Sequence, residues 1–304
     1  MSKLLEPKII DVPIENRMVN VEKALADKNP KLLKLMPKPA ISFIKKTVRQ
    51  DQINSVIYRN RNKKGWDFLD GVIKELGVNI SVNGIENIPQ NGGVFLAANH
   101  PMGGLDGMAF MHVVGSIRKD FKFFVNDILM QVDNLVDNFI PVNVFGDNSK
   151  EYRQAFNAAY TSEEAVLIFP AGMVSRRHKK PSSPQIQKTG KKHIEDLLWK
   201  RSIVEKAAEF QKDIIPVHIQ GFNSNRFYNV GYYRKRAFID ANIEMFYLPD
   251  ELFTQRGNTI HFEIGKPIPG SHFDQSKTSS EWVQWLKELV YSLPNTNPQQ
   301  IRRI

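Results

Sequence analysis

The residues best suited to chemistry lie in Asn99-His100-Pro101-Met102-Gly103-Gly104-Leu105-Asp106-Gly107, where a histidine and an aspartate with five residues between them flank a glycine pair. Imidazole is the usual general base near neutral pH, and a neighbouring carboxylate both orients it and stabilises the imidazolium. Gly103 and Gly104 permit a sharp backbone path that would bring the two side chains together, and they let a substrate approach the main chain. A metal site is the weaker reading, because no third ligand sits at a recognisable spacing.

A second stretch, Phe169-Pro170-Ala171-Gly172-Met173-Val174-Ser175-Arg176-Arg177, has the composition of an anion cradle. Small residues at Ala171 and Gly172 would let backbone N–H groups face an anionic oxygen, with Ser175, Arg176 and Arg177 as further donors. The plainer reading is a tight turn with exposed arginines. A third, Pro216-Val217-His218-Ile219-Gln220-Gly221, reads as a core strand in which His218 is a hydrogen-bonded core histidine.

Both chemical loops follow short apolar runs, which is where α/β sheets place their sites. Residues 94–98 and 166–169 are continuous apolar runs, as expected of buried strands. Strands are also expected at 78–82, 122–125, 139–142, 214–219, 243–247 and 260–264. Helices are expected at 105–117, 151–160, 203–210 and 281–293, the last with Trp282, Leu286 and Leu289 on one face. The alternation predicts an α/β fold, a mixed and mostly buried sheet flanked by helices, with a basic helical N-terminal region. The expected division is 1–70 for that region and 71–304 for the α/β body.

The chain has 304 residues, a formal net charge of +10 and no cysteine. That excludes disulfides, thiolate metal cages and thiol nucleophiles, and it fits a reducing compartment. Residues 1–10 do not read as a secretory signal, and no run approaches the roughly 20 apolar residues of a membrane span.

The positive charge gathers in two places. Residues 1–60 hold twelve basic and six acidic side chains, and residues 28–49 hold no acid at all. Leucines, isoleucines and Phe43 interleave with those lysines, the pattern of a short helix lying on an anionic membrane with lysine stems reaching toward headgroups. The alternative is a packed helix pair, broken at Pro37 and Pro39, with a solvated basic face. Residues 176–201 hold nine basic and two acidic side chains around an exposed Pro/Ser-rich loop. Nucleic acid is disfavoured there, since no aromatic residue is available for base stacking between 176 and 192.

Three blocks together carry a family resemblance: Asn-His-Pro-Met-Gly-Gly-Leu-Asp-Gly at 99–107, Phe-Pro-Ala-Gly-Met-Val-Ser-Arg at 169–176 and Ile-Pro-Val at 215–217. They resemble the blocks of the glycerolipid acyltransferase superfamily, which includes lysophosphatidic acid acyltransferases. The branch most similar is the bacterial hemolysin-like group related to the acyltransferases of ornithine and glycine aminolipids. Asp196-Leu197-Leu198-Trp199-Lys200 also looks like a recurring segment of that group. The likeness spans roughly residues 75–265.

The resemblance implies direct attack of an acceptor hydroxyl on an acyl thioester. His100 would be the general base, Asp106 its partner, and N–H groups around Gly172 or Gly103–Gly104 the oxyanion donors. It implies no cofactor beyond the co-substrate, acyl-carrier protein or coenzyme A thioester, which the 176–201 cluster would attract. It also implies a lyso-lipid acceptor, no nucleic acid, and a peripheral place on the inner face of the cytoplasmic membrane.

Three departures bear on the acceptor. The usual pattern has four residues between His and Asp, not five. Ala171 stands where phosphate-acceptor enzymes have Glu, and Phe139-Ile140-Pro141-Val142-Asn143 lacks the expected arginine. Bidentate arginine holds phosphate best, so a lyso-lipid acceptor, an amino-acid headgroup among the options, is favoured over lysophosphatidic acid, with Arg176 and Arg177 available for a phosphate or a carboxylate. N-acylation of an amino acid and a silent lipid-binding role are the alternatives.

Overall fold

The computed structural model describes residues 7–28, 30–143, 149–184, 186, 193–295 and 302–303. Its helices are α1 (Val21–Lys28), α2 (Pro30–Leu35), α3 (Lys38–Thr47), α4 (Gln50–Arg59), α5 (Gly65–Leu76), α6 (Gly104–Ile117), α7 (Lys150–Thr161), α8 (Ser202–Phe210), α9 (Asn225–Arg236), α10 (Leu248–Thr254) and α11 (Ser279–Ser292). Its strands are β1 (Asn79–Asn83), β2 (Val94–Ala98), β3 (Phe121–Asn126), β4 (Phe139–Val142), β5 (Ala165–Ile168), β6 (Arg176–His178), β7 (His193–Glu195), β8 (Asp213–Ile219), β9 (Thr259–Ile264) and β10 (Arg302–Arg303).

Eight strands form one mixed sheet in the order β10-β1-β9-β8-β2-β5-β3-β4, and β6 pairs with β7 in a separate ribbon. β2 runs parallel to both β5 and β8, while β8 and β9 are antiparallel. Every residue of β2 is buried. That explains its uninterrupted apolar run, because strands covered on both faces need no polar alternation. One face carries Phe95, Ala97, Val166 and Ile214 against Trp199, Ile203 and Ala207 near or on α8 and Trp282, Leu286 and Val290 on α11. On the other lies α6, whose Phe110 meets Phe123 of β3 and Phe262 of β9. Thr278 and Glu281 close α11 with a reciprocal capping box. Pro216 is tolerated within β8, where its carbonyl accepts from Gly265 N–H at 2.8 Å.

The chain divides into two compact units: 1–78 with 223–258, and 79–222 with 259–304. The expected division at residue 70 did not anticipate that 223–258 joins the N-terminal helices. In that helical unit α4 buries Gln50, Asn54 and Ser55, polar residues that hold the preceding chain. They bond the N–H groups of Val21, Val19 and Ile10 at 2.9, 2.9 and 3.0 Å. Arg59 grips Glu75 through two nitrogens, tying α4 to α5.

The strand expected at 243–247 is not one. Ile243–Tyr247 is a 3-10 turn of the helical unit, and its Glu244 is buried against Arg234 of α9. That ion pair, invisible in the local alternation, sets the conformation. α9, α10 and the three short strands β6, β7 and β10 were also not anticipated. The break at Pro37 falls where expected, whereas Pro39 sits in the first turn of α3, where its missing N–H costs nothing. Lys188, Lys191 and Lys192 of the second basic cluster lie outside the described residues. Among the described residues, no helix is long and apolar enough to cross a membrane.

Candidate active site

β2 and β5 are parallel neighbours, so the loops that leave them emerge at the same edge of the sheet. Asn99 continues β2 by side-chain mimicry, since its amide donates to the Ile219 carbonyl at 2.9 Å and accepts from Ile219 N–H at 2.6 Å. Gly103 then takes φ 92 and ψ −128 before α6 begins. This backbone region is essentially reserved for glycine, and it turns the chain so that Asp106, in the first helical turn, points back at His100. Nδ1 of His100 lies 3.1 Å from Oδ1 of Asp106, close enough to bond although the angle is not that of an aligned hydrogen bond.

Asp106 is fully buried, and both of its carboxyl oxygens are hydrogen-bonded. Oδ2 accepts Met102 N–H at 2.7 Å and Oδ1 accepts Gly107 N–H at 3.0 Å. The imidazole stacks on Phe169 with ring centres 4.0 Å apart, so the first residue of the second loop fixes the plane of the first loop's histidine.

Behind His100 stands a carboxylate that the residue-by-residue reading did not single out. Asp196 is buried and accepts from His100 N–H at 3.1 Å, from the Ser175 hydroxyl at 2.5 Å and from Trp199 Nε1 at 2.9 Å. Ser175 N–H also donates to the His100 carbonyl at 2.7 Å. The ring is closed by Tyr291, which accepts Asp196 N–H at 2.8 Å, and by Lys287, which donates to the Asp196 carbonyl at 2.8 Å. Burial raises the carboxyl pKa of Asp196, against the lowering pull of Ser175 and Trp199. It likewise pushes the Tyr291 hydroxyl well above its ordinary value and pulls the Lys287 ammonium down. The sequence signal was two adjacent acids, Glu195 and Asp196, inside a basic stretch and just before Trp199.

The structure brings His100, Asp106, Gly103 and Gly104 together and gives the other candidates different surroundings. Ser175 is buried and commits its hydroxyl to Asp196. Arg176 is buried in β6 and donates to the carbonyl of Val174 at 2.9 Å, so it braces the loop rather than facing solvent. Arg177 follows it in β6, half-buried. Gly172 has φ 66 and spends its N–H on the Phe169 carbonyl at 2.9 Å, which removes that group as an oxyanion donor. A Cβ placed on Gly172 would lie 3.6 Å from Lys200 Nζ, which puts an exposed cation beside this turn. His218 lies in β8 as expected, but its Nδ1 has no hydrogen-bond partner among the described residues. It meets Tyr291 edge-on at 5.8 Å instead.

Comparison with known proteins gives this geometry a context. An acyltransferase family model matches residues 23–298. Lyso-glycine lipid O-acyltransferase of Bacteroides thetaiotaomicron is 37% identical over 277 residues, covering 91% of this chain and 97% of that protein. The protein of the same name from Phocaeicola vulgatus is 36% identical, covering 91% of this chain and 95% of its own. The crystal structure of the 1-acyl-sn-glycerophosphate (LPA) acyltransferase PlsC from Thermotoga maritima aligns with a TM-score of 0.46 at 14% identity, over 85% of this chain and 90% of that one. With the family model spanning nearly the whole length and two relatives matched almost end to end, the chain belongs to this acyltransferase family.

Proposed function

We propose that the protein transfers a fatty acyl group from an acyl thioester to the hydroxyl of a lyso-lipid, and that the acceptor is a lyso-glycine lipid. The observation that carries this reading is the approach of His100 to the buried Asp106 at the start of α6. The names of the two relatives and the missing arginine at the end of the 139–143 segment support this acceptor.

In this reading Asp106 engages Nδ1 of His100, which leaves Nε2 to remove the proton from the acceptor hydroxyl. The freed oxygen attacks the thioester carbonyl, a tetrahedral oxyanion forms, and the C–S bond breaks. The imidazolium passes its proton to the departing sulfur, so a free thiol leaves, His100 is neutral again, and no acyl-enzyme is required. The first N–H groups of a helix have no acceptor within it, and those of α6 lie beside the dyad. Those of Gly104, Leu105 and Asp106 are the oxyanion donors, since the N–H groups of Gly172 and Gly107 are already engaged. The carboxylate of a glycine headgroup and the phosphates of the donor are anions that Lys200 beside Gly172 is placed to attract.

The basic N-terminal stretch supplies contact with the membrane's anionic inner face. Leu35 is 81% and Phe43 62% exposed among the lysines of α2 and α3, an apolar display with no use in water.

Purified protein given acyl-carrier protein or coenzyme A thioester and lyso-glycine lipid should form the diacylated lipid. His100→Ala should lower kcat at least about 100-fold, the usual contribution of a general base. Full activity in that variant overturns the mechanism.

A further inference from the structure

α9 and the turn that follows it present an apolar and basic surface that the catalytic reading leaves unused. Phe238 is 93% exposed, and Tyr232, Tyr233, Ile239, Ile243 and Phe246 are exposed around it. Lys235 and Arg236 stand beside Phe238 in the chain, with Arg236 donating to the Tyr232 hydroxyl at 2.9 Å. An open groove of about 630 Å³ runs here, lined by Arg226, Val230, Tyr233, Ile239 and Ile243 among others.

This display is built rather than incidental. Phe238 has φ 55, a left-handed position that glycine fills without strain and that is costly for a bulky residue. The turn is nevertheless held firmly from beneath by Arg234. Its guanidinium pairs with buried Glu244 and donates to the carbonyls of Ile239 and Asp240 at 3.0 and 3.3 Å and to the Asn242 side chain. Ile239 N–H closes back on the Arg234 carbonyl at 3.0 Å. A buried ion pair thus fixes a strained turn whose product is a phenylalanine ring in water.

We propose that this face docks on an anionic lipid bilayer, with Phe238 inserted at the level of the upper acyl chains and Lys235 and Arg236 among the headgroups. The apolar ring at the tip selects hydrocarbon, the tyrosines suit the interface, and the two cations select anionic lipid. The proposal rests on the reading that the acceptor is a lipid held in a membrane. It adds a second contact within the helical unit to the one assigned to α2 and α3. Asp250 ties the two regions, since it pairs with Arg49 just after α3 at 2.7 Å and with Arg226 of α9.

Co-sedimentation of the full chain with vesicles of equal parts phosphatidylcholine and phosphatidylglycerol tests it. Phe238→Gly should weaken binding about tenfold, the effect of one buried aromatic side chain. Its Tm should be unchanged or higher, because glycine relieves the left-handed residue. Lys235→Gln with Arg236→Gln should weaken binding to these vesicles about 30-fold and leave binding to pure phosphatidylcholine unaltered. Acyl transfer to an acceptor dispersed in detergent should be untouched in both variants. Wild-type vesicle binding by a folded Phe238→Gly variant overturns the proposal, as does equal loss of transfer in detergent and in bilayers. A wild-type chain that sediments with vesicles but transfers no acyl group leaves the docking face standing and overturns the catalytic reading alone.

Discussion

Asp196 holds the main chain of His100 rather than its ring, and its effect on the reaction would pass through position alone. An asparagine there keeps the shape but cannot accept at both atoms, so one of the donors from His100, Ser175 and Trp199 loses its partner. Misplacement of a reacting group by about 1 Å costs on the order of 100-fold in rate. Asp196→Asn should therefore lower kcat by up to about that factor with KM little changed, measured on protein shown to be folded by its Tm. A merely structural role would lower Tm and leave kcat per folded molecule intact. This residue marks the limit of what the linear chain discloses. His100 and Asp106 stand close in sequence with a glycine pair between them, so their approach was legible from spacing. Asp196 reaches His100 across 96 positions, and no local pattern encodes such a contact. Ser175 and Arg176 carried the donors of an anion site by type, yet burial assigned both to the scaffold.

Among the elements, the turn into α6 decides whether the dyad exists. Its two glycines have unlike roles. Gly103 occupies φ 92, ψ −128, whereas a Cβ on Gly104 would meet nothing within 4 Å. Gly103→Ala should destabilise the protein by about 1–3 kcal/mol in urea titrations, the strain of a backbone region that side chains avoid. Gly104→Ala should leave stability unchanged or slightly raised, since alanine favours the helix. Loss of acyl transfer in that stable variant would then report a substrate lying against the open position. Strands whose apolar runs are buried on both faces, such as β2 and β5, were readable because composition alone identifies them. The segment 243–247 was misread for the opposite reason. Its conformation follows from one buried partner, Arg234, and not from its own periodicity.

At the scale of the whole molecule, His218 makes stability depend on pH. Burial without a partner for Nδ1 pulls its pKa from 6.5 to about 4. Between those values the unfolded chain binds a proton that the native protein refuses, so stability falls as pH drops from 6.5 towards about 4. The full effect is about 3.5 kcal/mol, because stability changes by about 1.4 kcal/mol per pH unit across that window. Below about 4 the native histidine also takes the proton and this group adds no further loss. Tm measured at pH 7 and pH 5 should fall less in His218→Gln than in the wild type.

The helical unit is assembled from two stretches, residues 1–78 and 223–258, and β1 through β8 are encoded between them. A ribosome therefore releases Phe68, Leu69 and Val72 of α5, all buried in the finished protein, long before α9 and α10 exist. Domains tend to fold as units while the chain is still being made, and here the earliest residues must wait for some of the latest. The first 78 residues form only part of a unit, so a fragment cut after residue 78 should remain unfolded and need a chaperone's shelter. The order of synthesis thus puts completion of the helical unit behind β1 through β8, so β2 and the His100 loop that follows it are made before α9 and α10 can close that unit.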